Sequence, residues 1–210
     1  MSVTDLDQLQ EIQLVLQEDG SFSNGLWTLE EVLGYFNQRQ YRFLAETKII
    51  AAQATLPWIP GVEQLALPED WIATIGAGWH DLVSGEVIPL PKADSFEMDR
   101  LLGPTVAITQ ALPQAYREAD TTETLTIAVA PAPAAPGELG LLYVSLSDVL
   151  DGQGTLFNIP DDWVPYIKYG VYADMLGKTG RGQDLLRARY AEQRYEEGIT
   201  LTQSLLQGWP

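Results

Sequence analysis

Leu26-Trp-Thr-Leu-Glu-Glu-Val-Leu-Gly-Tyr-Phe-Asn37 carries the strongest local signal in this chain. Thr28 and Glu31 stand three apart just ahead of an apolar run, the spacing of a capping box. The threonine hydroxyl can accept from the Glu31 amide while the glutamate side chain reaches back to the Thr28 amide. Leu29, Val32, Leu33, Phe36, Phe43, Leu44 and Ile50 then recur on one face, which predicts a helix from Thr28 to about Ala54. Trp27, one residue before the cap, is placed to staple against Val32. Leu56-Pro-Trp-Ile-Pro-Gly61 closes the helix, because two prolines and a glycine cannot extend it.

Upstream, residues 5–17 read as a short helix that Asp5 can cap, with Leu6, Leu9, Ile12 and Leu16 at helical spacing. Downstream the texture changes. Short apolar or alternating runs at 62–67, 71–79, 86–90, 105–109, 124–130 and 140–146, separated by Pro and Gly, read as strands. A short helix is expected at Ser95–Leu102, and Ala130-Pro-Ala-Pro-Ala-Ala-Pro-Gly137 reads as an extended connection. Helix returns after Asn158. Asp161 or Asp162 can cap it, Pro165 fits its first turn, and Trp163, Ile167, Val171 and Met175 form its stripe. Gly177-Lys-Thr-Gly180 breaks it. A final helix runs from about Gly182 to Leu206, presenting Leu185, Leu186, Tyr190, Tyr195, Ile199 and Leu205, with Gly198 weakening its middle. The order helices, strands, helices predicts an α+β fold: a mainly helical bundle formed by the N- and C-terminal helices (1–61 and 147–210) with a β-rich insertion at 62–146.

Composition narrows the function. The 210 residues contain no cysteine, so disulfides, thiolate zinc sites and cysteine nucleophiles are excluded. A formal charge of −17 argues against wrapping nucleic acid. The opening residues lack a basic stretch followed by an apolar run, so no signal peptide is expected, and no run approaches the roughly 20 apolar residues of a membrane helix. Residues 1–38 hold no Lys or Arg, whereas six of the twelve basic residues (Lys168, Lys178, Arg181, Arg187, Arg189 and Arg194) cluster late in the chain. The bland reading is solvated helix faces; the sharper one is charge matching between copies or with an acidic partner.

No reactive constellation emerges. His80, the only histidine, sits between Trp79 and Asp81 without a nucleophilic serine in context, so an ordinary loop or strand-edge histidine explains it. Asp161-Asp162 is explained by helix capping and Glu196-Glu197 by a solvated face. Asp148 to Gly154 has too few acidic ligands for a calcium loop, and Gly177-Lys-Thr-Gly-Arg-Gly182 lacks the spacing and preceding strand of a phosphate loop. No catalytic residue, metal site or cofactor is expected. Most of the six tryptophans and nine tyrosines should pack the core, leaving some for an interface. Trp209, following Gly208, is the one most suited to docking in a neighbour.

Taken in order, these segments resemble the head-to-tail adaptor (connector or neck) proteins of tailed bacteriophages. The resemblance rests on Leu26 to Asn37, then Leu67-Pro-Glu-Asp-Trp71, Leu112-Pro-Gln-Ala-Tyr116, a strand at 124–129 and the Pro131-Ala-Pro133 kink. Ile159-Pro-Asp-Asp-Trp163 follows, leading into Tyr169-Gly-Val-Tyr-Ala-Asp-Met-Leu176 and an Arg- and Glu-rich helix. The chain departs from the family pattern in residues 72–112, where its insertion is longer. The resemblance implies a non-enzymatic homo-oligomer, a ring of about twelve copies beneath the portal protein. Such a ring extends the DNA channel, passes genomic DNA without sequence-specific binding and offers a platform to a tail or nozzle protein. It implies a place in the virion neck after synthesis in the bacterial host cytoplasm, with no membrane partner. Arg187, Arg189, Arg194, Leu205, Leu206 and Trp209 are the expected portal-binding arm, with the arginines adding salt-sensitive attraction to apolar anchors. Two rivals are an acidic binding module that recognises a sugar or peptide through exposed Trp and Tyr on the insertion, and a carboxylate hydrolase.

Overall fold

The capping box forms as expected. In the computed structural model, which describes residues 3–16, 22, 26–60, 62, 64–101, 112–120, 125–146 and 148–207, the Glu31 amide donates to Thr28 Oγ1 at 3.2 Å and the Thr28 amide to Glu31 Oε2 at 2.9 Å. Thr28→Ala is therefore expected to lose about 1 kcal/mol in urea titration, with Thr28→Ser restoring it.

In chain order the elements are α1 (Asp5–Leu16), α2 (Leu29–Thr47), β1 (Ala51–Trp58), β2 (Gln64–Ala66), β3 (Trp71–Asp81), β4 (Val87–Leu90) and α3 (Ser95–Leu101). Then come β5 (Ala115–Asp120), β6 (Leu125–Ala130), β7 (Gly137–Ser145), α4 (Val164–Gly177) and α5 (Leu185–Gln207). The fold is α+β. The chain divides into two compact units, Met1–Ile50 with Leu146–Pro210, and Ala51–Ser145.

One boundary differs from the sequence reading. α2 stops at Thr47, where Lys48 takes a left-handed conformation (φ 54) and its amide donates to Leu44 O. The residues expected to finish that helix, through Ala54, instead open β1. Ala51-Ala-Gln-Ala-Thr-Leu56 favours helix by local propensity, but pairing with β7, from Ala51↔Val144 to Trp58↔Gly137, overrides it and fixes an alternation of exposed and half-buried positions.

In the helical unit, α2, α4 and α5 pack around Phe36, Phe43, Leu44, Val164, Ile167, Val171, Met175 and Tyr195, all fully or nearly fully buried. Trp27 is buried too, and its Nε1–H donates to Met175 O at 2.9 Å, tying the start of α2 to α4. Asp5 is not the cap of α1. Thr4 caps it, accepting from the Asp7 amide at 3.2 Å while Asp7 accepts from the Thr4 amide and hydroxyl. The Asp5 carboxylate is fully buried and accepts from the amides of Asp151 (3.0 Å), Gly152 (2.7 Å) and Gly154 (2.9 Å). Gly152 and Gly154 have positive φ (78° and 95°), a backbone that aims successive amides at one anion.

Neither Asp161 nor Asp162 caps α4 with its side chain; they open a 3₁₀ turn (Asp161–Trp163), and Asp161 accepts from the Val3 amide. The buried face of α5 is Ala188, Ala191, Tyr195, Ile199 and Thr202. Leu185, Leu186, Tyr190 and Leu205, expected on that stripe, are exposed because α5 turns this other face to the core. Gly198 is no weak point: a Cβ there would lie 2.4 Å from Tyr166 Cγ, so glycine is what lets the Tyr166 ring seat on the helix.

The insertion holds two antiparallel sheets, ordered β1-β7-β3-β4 and β2-β6-β5. Five of the expected strands appear as β2, β3, β4, β6 and β7, and the expected short helix as α3; β1 and β5 were not foreseen, and the expected strand at 105–109 lies outside the described residues. Trp58, Trp79, Tyr116, Ile127, Leu139, Leu141 and Tyr143 fill the core. Gly137 is required for it, since a Cβ would fall 2.1 Å from Trp79 Cζ2.

Candidate functional site

Those of the expected docking residues that the structure describes are spread along α5. A helix of 23 residues rising about 1.5 Å per residue is roughly 34 Å long, which places Arg187 about 27 Å from Leu205. Arg187 is exposed near the helix start, 3.3 Å from Asp184, whose side chain accepts from the Arg187 amide and caps α5. Arg189 is exposed and has no carboxylate partner among the described residues. Arg194, half-buried, pairs with Glu197 at 2.7 Å and lies over the Tyr169 ring. Leu205 and Leu206 are exposed at the other end, and Trp209 lies outside the described residues.

Other late basic side chains are used within the unit. Lys168 pairs with Glu11 at 2.5 Å. Lys178 pairs with the capping-box Glu31 at 2.6 Å and donates to Leu26 O. That interaction accounts for Gly177-Lys-Thr-Gly-Arg-Gly182: the loop borders a cavity of about 340 Å³, but its lysine is already satisfied.

The densest polar construction escaped the sequence reading. Arg39 reaches from α2 to α4 and α5, donating from Nε and Nη2 to both oxygens of Asp174 (2.7 and 2.6 Å) and from Nη1 to Glu192 at 2.9 Å. Arg42, one turn on, bonds Glu46 (2.6 Å), Glu192 (3.2 Å) and Glu196 (2.5 Å). Both guanidinium groups lie over the Tyr195 ring, at 4.9 and 5.4 Å, and the Tyr195 hydroxyl donates to Arg39 O. Glu196, read as solvated, is thus an ion-pair partner.

This network sets a pH dependence. Burial pushes the Glu192 carboxyl up, but the hydrogen bond and charge of Arg39, with Arg42 adding to both, outweigh it and hold the group below its ordinary 4.5. A carboxylate depressed on folding contributes stability above its unfolded pKa and loses it as pH falls through the folded one. The helical unit is expected to keep this contribution at neutral pH and shed it on acidification below 4.5. Thermal melts across that range should show a shallower loss for Glu192→Gln.

The residues weighed for chemistry are dispersed. His80 Nδ1 faces Glu138 across β3 and β7 at 3.2 Å, whereas Asp81 turns away to the Val83 amide (2.9 Å) and the Ser84 hydroxyl (2.7 Å). Those bonds hold the Asp81 carboxyl below its usual range. Among the described residues no three His, Asp or Glu side chains gather as metal ligands, and no helix is long and apolar enough to cross a membrane. The insertion's Trp and Tyr side chains are not the exposed platform that a sugar or peptide module needs. Trp58, Trp79, Tyr116 and Tyr143 are buried, and half-buried Trp71 donates to Thr74 Oγ1.

These features define a two-unit α+β protein whose polar groups brace helices and turns. Residues 1–208 match the family model of the SU10 adaptor protein, and the chain belongs to that family. No match is found among curated proteins. Among solved structures the chain is similar to one from the neck of an empty GTA particle computed with C6 symmetry, at 12% identity over 93% of both chains. The TM-score of 0.29 is too low for that likeness to carry an argument.

Proposed function

We propose that the chain is a head-to-tail adaptor of a tailed phage particle, a non-enzymatic subunit that joins about twelve copies into a ring beneath the portal. The ring extends the DNA channel and receives a tail or nozzle protein. The single observation that carries this reading is membership of the adaptor family across residues 1–208. The charge distribution supports it: the unit 51–145 carries twelve carboxylates against three basic side chains, Lys92, Arg100 and Arg117. A ring bearing such a surface repels phosphate, so DNA slides without sticking.

Leu205, Leu206 and Trp209 are the apolar anchors assigned to the portal, while Arg194 adds salt-sensitive attraction farther up the same helix. The helix is secured up to that end. Thr202 is buried with its hydroxyl on Gly198 O, and Gln203 Nε2 donates to Glu46 O at 2.9 Å. Removal of residues 204–210 should therefore leave the fold intact and weaken binding to purified portal at least about tenfold, or 1.4 kcal/mol. Unchanged affinity of the truncated chain would place the docking surface elsewhere.

A further inference from the structure

Two exposed patches of complementary chemistry lie on different units. The first is the tip of the β3–β4 hairpin. Leu82, Val83 and Val87 are 53%, 75% and 69% exposed there, with Glu86 beside them. This tip is rigid: besides the two bonds to the Asp81 carboxylate, the Gly85 amide donates to Asp81 O (2.8 Å) and the Asp81 amide to Glu86 O (2.9 Å), with Gly85 at φ 73. Ordered apolar groups lose little conformational entropy on docking. Beside the tip is a cavity of about 430 Å³ lined by Trp79, Glu86, Leu112 and Pro133 among others, large enough for an aromatic side chain.

The second patch is the first two turns of α5. Leu186 is 80% exposed and Tyr190, one turn on, 57%. Arg187 and Arg189 flank them, and Arg189 has no carboxylate partner among the described residues. The first patch is apolar and acidic, the second apolar and basic.

We infer that the hairpin tip of one copy docks on the start of α5 of the next, with Tyr190 entering the cavity and Glu86 facing Arg187 and Arg189. The occupant is a second copy because one chain carries both halves, and because two carboxylate-rich insertions repel each other, leaving only an unlike pairing. A contact between two different patches is heterologous, the kind that propagates around a ring. The inference rests on the adaptor reading only for the expectation that copies assemble. It assigns Arg187 and Arg189 to the neighbouring copy and leaves the far end of α5 to the portal.

The chain has no cysteine, so introduced thiols report contacts cleanly. With a short bis-maleimide, the double variant Val83→Cys/Leu186→Cys should give a ladder of covalent multimers. An equal mixture of the two single variants should give dimers only, and each single variant alone no product. Arg187→Glu with Arg189→Glu should cut linkage at least about tenfold, and adding Glu86→Arg should restore it. No linkage between copies at any concentration, equal linkage in either single variant alone, or charge reversal without effect or without rescue would overturn the inference. If linkage fails while the 204–210 truncation still weakens portal binding, only the lateral contact falls. Intact linkage with unchanged portal affinity after truncation removes only the portal assignment.

Discussion

Asp5→Ala is expected to destabilise the helical unit by about 4 kcal/mol, a large part of the stability of an ordinary domain. The Asp5 carboxylate is fully buried and accepts three backbone amides from one loop. Hydrogen bonds to a charged acceptor are worth about 1.5–3 kcal/mol each, and removing the acceptor leaves their donors without water or partner. Alanine also leaves a void where the carboxylate sat. Asp5→Asn should fall between: its oxygen can serve Asp151 and Gly152, but its amide then confronts the Gly154 N–H donor to donor. Urea titration gives the magnitudes, and hydrogen exchange gives the location, since the amides of 151, 152 and 154 should lose protection first. Loss of stability without faster exchange there would separate Asp5 from the loop.

Gly198→Ala should destabilise by about 2 kcal/mol, although alanine normally improves a helix interior by up to about 1 kcal/mol. The added methyl would lie 2.4 Å from Tyr166 Cγ and 2.6 Å from its Cβ, the root of the side chain, which has nowhere to swing. Gly34, inside α2, provides the opposite case. A Cβ there meets nothing within 4 Å, so Gly34→Ala should stabilise by about 0.4–1 kcal/mol. Thermal melts of the two variants should move in opposite directions; a stabilised Gly198→Ala would restore glycine as a point of flexure.

Local chemistry was legible, and long-range pairing was not. The Thr28–Glu31 box, α4 and the break at Gly177–Gly180 follow from capping, periodicity and glycine placement, all of which act within a few residues. The end of α2 was misplaced because Ala51 to Leu56 favours helix locally, and only β7, more than eighty residues later, imposes the strand. Asp5 was taken for a cap because a buried carboxylate and an N-terminal one look alike in sequence; its partners lie 146 to 149 positions away. Arg39 and Arg42 carried one readable sign: they are the first two basic residues to follow a basic-free stretch of 38. Their carboxylate partners on α4 and α5 come from tertiary packing. Sequence proximity also hides the length of α5, along which Arg187 and Leu205 stand about five helical turns, or about 27 Å, apart.

Electron microscopy of purified portal rings, alone and with excess protein, tests most directly whether copies of this chain assemble as a ring on the portal. An added ring of about twelvefold symmetry coaxial with the portal, prolonging its channel, is the predicted result. Portal particles unchanged at saturating protein, or decorated by isolated copies with no closed ring, would contradict it.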